Sequence, residues 1–347
     1  DVMELALKNV GIDLVHIIGP DTAHKLHPDS KIIIEDKMDS LARVGRQRIP
    51  STVHLVAYTL KYNRMNWVTL DAMGEEWTQA HINARLHSQN RVEVKTDNVT
   101  AFSLKMDAGE SPLDMTHPVM VQVDGVKLEA PRPMSDRSWQ VSFHKTGDAW
   151  HVGPVVYEPG QLVKKHNLQG PIDDAFMDSF IFVSPSGTCA SPTVDKWVQS
   201  EMKHAIVHWR QQFRGDARVM QDSKITDKEI ASSNLILWGD PQSNQLIKKI
   251  VDKLPIQWNQ ETIVVGEKQY PADHHAPILI FPNPLNPEKY VALNSGFTYR
   301  EYAYLNNARQ VPMLPDWAII DLRTPAGSQY PGKVVDANFF DEFWRVK

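Results

Sequence analysis

His24 lies in the run Val15-His16-Ile17-Ile18-Gly19-Pro20-Asp21-Thr22-Ala23-His24-Lys25-Leu26-His27-Pro28. An imidazole in a polar loop is the side chain best suited to take and return a proton near neutral pH. Two other histidines compete for that role. His27 precedes Pro28, which biases it to extended backbone and to orienting the loop, and His16 alternates within an apolar run that reads as a strand. Of the three, His24 is the candidate for general acid–base work, with an ordinary loop histidine as the alternative.

Two loops farther along could hold a ligand: Ser184-Pro185-Ser186-Gly187-Thr188 and Gly239-Asp240-Pro241-Gln242-Ser243-Asn244. Each leaves an apolar strand toward a helix, where backbone N–H groups can cradle an anion. Ser186, Gly187, Asp240, Ser243 and Asn244 are the candidate binding residues. Neither loop has dinucleotide-type glycine spacing or a P-loop lysine, and ordinary turn and cap chemistry by Asp240, Ser243 and Asn244 is the alternative. Glu201, His204 and His208 share a helix face at i, i+3 and i+7, but alanine stands where a zincin has glutamate, so a solvated polar face is expected. In Asp273-His274-His275 adjacent side chains should diverge, giving a loop. The lone Cys189 reads as a small semi-buried residue, with a nucleophilic role as the alternative. No metal and no cofactor is expected.

The elements that must position these groups change character along the chain. Met3 to Lys8 reads as a helix stopped by Gly11, and Ser30 can cap a second helix running to Ala42. Between them the run around Val15 to Ile18 reads as a buried strand. From residue 50 to 155 short alternating runs predominate. Asp124-Gly125 between Val119 to Val123 and Val126 to Glu129 is a strong hairpin signal, because a type I′ turn needs positive φ at both central residues. Lys145-Thr146-Gly147-Asp148 marks another. Seven or more such strands predict an immunoglobulin-like β-sandwich over 50–155. Residues 156–171, with Pro159-Gly160 and Gly170-Pro171, read as a linker or strap. Over 172–347 apolar strands alternate with amphipathic helices: a helix over Thr193 to Phe213, a capping box at Thr226 and Glu229, and a helix over Tyr299 to Asn307. That pattern predicts a three-layer α/β domain with a parallel-rich sheet.

Composition narrows the function classes. The 347 residues are 42% apolar and 23% charged, which is ordinary for globular domains, and the net charge of −5 gives no basic field for a polyanion. Nucleic acid is thus excluded as an expected partner. No stretch reaches the roughly 20 apolar residues of a membrane-spanning helix. One cysteine excludes an internal disulfide. Of the ten tryptophans, Trp197 and Trp209 fall on the apolar side of the long helix, while Trp67, Trp77, Trp139 and Trp150 lie in the sandwich region, where one or two could be exposed, as stacking or as core aromatics alike.

Read as helix, strand, histidine loop and helix, the stretch over 1–49 resembles the C-terminal end of the catalytic α/β-hydrolase domain in prolyl oligopeptidase-like serine peptidases and related esterases. A stretch like Gly19-Pro20-Asp21-Thr22-Ala23-His24 carries the catalytic histidine there. The resemblance covers about the first seventh of the chain. It implies hydrolysis of a peptide or ester, with His24 as general base and then acid. The family's chain order is serine, aspartate, histidine, so the resemblance places the other two members upstream of Asp1, or on a co-purifying fragment. No G-x-S-x-G elbow occurs in this sequence, and Ser186-Gly187 lacks the first glycine and follows the histidine. The chain alone is then expected to be inactive, and the resemblance leans toward a secreted or periplasmic setting. The competing expectation is a non-catalytic binding or assembly protein built on the sandwich and the α/β domain.

Overall fold

The computed structural model describes residues 2–87 and 90–347, which form two compact units, Asp1–Pro50 and Ser51–Lys347. The protein is 24% helix and 33% strand, a mixed class with several sheets.

The first unit holds two helices, α1 (Val2–Asn9) and α2 (Pro28–Val44). The helix α2 starts at Pro28 rather than after Ser30. The extended His27 caps it, its Nδ1 accepting from Asp29 N at 3.3 Å, and proline at the first helical position brings a preset φ and lacks only an N–H that would be unpaired anyway. Ser30, the one buried residue of α2, donates instead to Ile18 O at 3.2 Å. The strand expected around Val15 to Ile18 does not form. A strand needs a partner to satisfy its backbone, and among the described residues of this unit none is offered, so Val15 and Ile18 stay exposed.

The second unit begins with ten strands: β1 (Thr52–Ala57), β2 (Arg64–Met65), β3 (Val68–Met73), β4 (Ala80–His87), β5 (Arg91–Asp97), β6 (Val99–Met106), β7 (Val119–Val123), β8 (Val126–Ala130), β9 (Trp139–Thr146) and β10 (Ala149–Val152). They make two five-stranded sheets, ordered β1-β4-β5-β7-β8 and β10-β9-β6-β3-β2. Alternating residues turn inward, so Val53, Ile82, Val94 and Val121 of one sheet and Leu70, Phe102, Leu104 and Phe143 of the other are buried. Each such side chain contributes on the order of 1.5–3 kcal/mol when fully removed from water. The Asp124-Gly125 turn has φ of 47° and 89°, as a type I′ hairpin requires, and Trp150 Nε1 of the second sheet donates to Asp124 Oδ2 at 2.9 Å.

Residues 153–179 form a strap in which Lys164 and Gln169 are buried. Ten more strands follow: β11 (Phe180–Ser184), β12 (Val219–Gln221), β13 (Asn234–Leu237), β14 (Gln257–Trp258), β15 (Thr262–Val265), β16 (Lys268–Pro271), β17 (His275–Asn283), β18 (Asn286–Leu293), β19 (Trp317–Asp321) and β20 (Lys333–Asn338). Seven of them build one sheet, ordered β12-β11-β13-β18-β17-β19-β20. The first three pairings are parallel and the last three antiparallel, so the sheet is evenly mixed rather than parallel-rich. Helices α3 (Pro192–Phe213), α4 (Asp227–Ser232) and α5 (Gln245–Ile250) connect its strands, and β14 to β16 form a separate three-stranded sheet. On α3, Val194, Trp197, Val198, Glu201, Ala205 and His208 recur at helical spacing and are all buried. The expected helix over Tyr299 to Asn307 is instead two short 3-10 turns, Glu301–Leu305 and Asn307–Arg309. Extended backbone at Arg300 and Asn306 bounds the first turn.

Candidate functional sites

Several places among the described residues hold groups that could do chemistry. The first is the loop of His24. Gly19 to Thr22 makes a tight turn, with Asp21 at φ 52° and Thr22 Oγ1 donating to Gly19 O at 3.0 Å. The His24 side chain beyond it is exposed and has no hydrogen-bond partner among the described residues. A serine attack needs the base within hydrogen-bond reach of the nucleophile and an acceptor on its other nitrogen. The described residues supply neither to His24. The helices beside this loop carry bare apolar faces: Leu5, Ile32, Met38 and Leu41 are each about 60% exposed.

The second place is the carboxyl edge of the mixed sheet, where β11, β13 and β18 end together. Asp240, Ser243 and Asn244 are buried here, and their polar atoms serve the loop itself. Asp240 Oδ1 accepts from Gln242 N and Ser243 N, and its Oδ2 accepts from Ala190 N at 2.7 Å. Ser243 Oγ accepts from Asp240 N, and Asn244 Oδ1 caps α5 through Leu246 N and Ile247 N. Gly187 N donates to Ser243 O at 2.9 Å, tying the two loops together. Ser186 is exposed, its hydroxyl accepting from Gln245 Nε2. All five candidates thus sit on adjoining loops. The bonds of Asp240, Ser243 and Asn244 are those of turns and caps, and Gly239, at φ 112° beside Ser243, permits the sharp turn. Cys189 lies against Ser243, and burial pushes its thiol up to about 12, which opposes a thiolate at neutral pH.

The helix face of Glu201, His204 and His208 departs from the solvated surface expected of it. Glu201 is buried and pairs with Arg300, Nη1 to Oε2 at 2.6 Å, and His208 is buried with Nδ1 2.5 Å from Tyr304 Oη. His204 Nε2 reaches Glu301 Oε1 at 2.7 Å. The segment after β18 folds over this face and supplies all three partners. Burial, reinforced by the neighbouring His204, lowers His208 to about 4. His274 and His275 do not diverge either: their ring centroids are 4.4 Å apart.

The third place was not legible in the sequence. A cavity of about 560 Å³ opens where the end of β1, the β3–β4 connection at Trp77, the strap and the segment after β18 meet. Tyr58, Tyr62, Trp77, Met177 and Phe297 form much of its wall, with Lys61, Gln169, Asp173 and Asp174 as polar members. Size, apolar lining and a few polar groups are those of a small-ligand site. Lys61 Nζ lies 2.8 Å from Asp174 Oδ1, whose other oxygen accepts from Tyr290 Oη. Burial raises Asp173 to about 7, although Thr298 donates to both its oxygens. Trp77 holds φ at 68°, which is unfavourable for a bulky side chain, and Trp77 Nε1 and Gln169 Oε1 are buried with no partner among the described residues. Only the tryptophan content hinted at this site.

Comparison with protein-family models, with curated proteins and with solved structures finds no match to this chain.

Proposed function

We propose that the chain is the C-terminal part of a serine hydrolase of prolyl oligopeptidase type, cleaving a peptide or ester, with His24 as the general base and then the general acid. In this reading Asp1–Pro50 completes a catalytic α/β domain, and serine and aspartate come from polypeptide preceding Asp1 or from a second polypeptide. The observation that carries it is the run Gly19 to His24, set on a tight turn just before a helix whose start is fixed by Pro28. The exposed apolar faces of α1 and α2 support it, because two helices with no fully buried apolar residue gain stability by packing against a larger body. His24 would take the serine proton as the hydroxyl attacks the carbonyl and return it to the leaving group, while the aspartate holds the imidazole and backbone N–H groups hold the oxyanion. The two β-rich sheets and the mixed-sheet domain then act as accessory domains.

The test is labelling with a fluorophosphonate that reacts with activated serines. Chain 1–347 alone should not label, and the same chain joined to or mixed with the polypeptide that supplies the serine should. His24→Ala should abolish the label in that preparation. Labelling that survives His24→Ala would remove this histidine from the mechanism.

The aromatic cavity favours a second reading, a binding or assembly protein acting through Tyr58, Tyr62 and Trp77. Saturable ligand binding lost in Trp77→Ala, with no serine labelling in any preparation, would favour it over the hydrolase.

A further inference from the structure

Residues far apart in the sequence meet at the carboxyl edge of the mixed sheet, on its antiparallel side. His275 opens β17 and is paired across the sheet with Asp321, the last residue of β19, and His274 precedes it. One donor atom from each of His274, His275 and Asp321 lies within 4.8 Å of the other two. His275 and Asp321 are buried, and His274 is partly exposed, so the group sits at the surface with one side open.

Hydrogen bonding fixes which nitrogen each imidazole can offer. His275 Nδ1 lies 2.8 Å from Pro271 O, and a carbonyl only accepts, so Nδ1 carries the hydrogen and Nε2 the lone pair. His274 Nδ1 lies 2.5 Å from Asp273 Oδ1, an acceptor of the same kind, which again leaves Nε2 as the ligating atom. Metal-binding histidines are held in this way, by a carboxylate or a backbone carbonyl on the other nitrogen. Asp321 supplies an anionic oxygen, although Arg323 now occupies it, Nε at 3.0 Å from Oδ1 and Nη2 at 2.6 Å from Oδ2. The Arg323 side chain is two-thirds exposed, so the guanidinium can turn into solvent when another cation arrives.

We propose that His274, His275 and Asp321 form a binding site for a divalent transition-metal ion of the zinc class, with Asp273 and the Pro271 carbonyl orienting the imidazoles and Arg323 competing for the carboxylate. Two imidazoles and one carboxylate suit zinc, cobalt or nickel and are a poor set for calcium or magnesium, which take oxygen ligands. Three protein ligands leave at least one position for water or another small ligand. This site is independent of the hydrolase reading, since it needs neither His24 nor any other polypeptide.

The experiment is equilibrium dialysis of the chelator-stripped full chain against Zn2+, with Co2+ absorption reporting the ligand type. One Zn2+ per chain is expected, with Co2+ bands of nitrogen and oxygen ligation. His274→Ala should weaken Zn2+ binding at least tenfold. Asp273→Asn should weaken it by roughly 10–100-fold, as for other residues that orient a ligating imidazole. Arg323→Ala should tighten binding, because the Asp321 carboxylate loses its competing guanidinium. His204→Ala, in the other histidine cluster, should change nothing. Absence of stoichiometric Zn2+, or binding unchanged in His274→Ala, would overturn the proposal. His275→Ala alters a buried residue, so His274→Ala and Arg323→Ala carry the test.

Discussion

Glu76 provides a quantitative test of how the β-rich half meets the strap. It is buried, its Oε1 accepts from Leu60 N at 3.2 Å, and its Oε2 has no partner among the described residues. Burial raises its carboxyl to about 7, against the opposing pull of the buried Lys164. A carboxyl raised in this way contributes fully below its ordinary value of 4.5 and loses that contribution as pH rises through 7. The loss at pH 8 is about 3 kcal/mol, from roughly 2.5 pH units at 1.36 kcal/mol each. Glu76→Gln keeps the acceptor for Leu60 N and cannot ionise. Its stability relative to the wild type should therefore rise by about 3 kcal/mol between pH 4 and pH 8, whatever constant offset the new amide introduces. Urea unfolding of both proteins across that range reads the difference directly, and contributions common to both, including that of Asp173, cancel. A difference that stays flat with pH would refute the claim that burial of the Glu76 carboxyl outweighs the pull of Lys164 and the hydrogen bond from Leu60 N.

Other expectations follow from groups of the same unit. His208, lowered to about 4 by burial, makes the protein lose stability as pH falls from 6.5 toward 4, because the unfolded chain binds that proton first. His208→Gln should fall less steeply over that window in the same unfolding assay. Lys164 Nζ pairs with Asp316 Oδ2 at 2.6 Å with both side chains fully buried, so Lys164→Met strands a carboxylate and should cost about 3–5 kcal/mol by denaturant midpoint. A loss below about 1 kcal/mol, the level of exposed pairs, would mean that water reaches the pair.

Local signals carried well from sequence to structure, and long-range ones did not. Asp124-Gly125, the capping box of Thr226 and Glu229, and the long helix ending at Phe213 depend on residues within a few positions, and each formed where the pattern put it. The strand around Val15 depends on a neighbour, and the sequence pattern holds no information on whether one is present. Glu201 and His208 looked like a wet face because Arg300 and Tyr304, which cover and pair with them, come about a hundred positions later. The His274, His275 and Asp321 group was hidden for the same reason, since strand pairing between β17 and β19 creates it. The cavity beside Trp77 draws its wall from four separated segments, and no one of them signals a pocket.

The proposed role of His24 as the base of a serine hydrolase is tested by steady-state ester or peptide hydrolysis by a preparation containing the serine, with and without His24→Ala. His24 is exposed, so the variant should unfold within about 0.5 kcal/mol of the wild type. Its kcat should nevertheless fall by roughly 10⁴-fold or more, as expected for loss of a triad histidine. Undiminished turnover at unchanged stability would contradict the assignment.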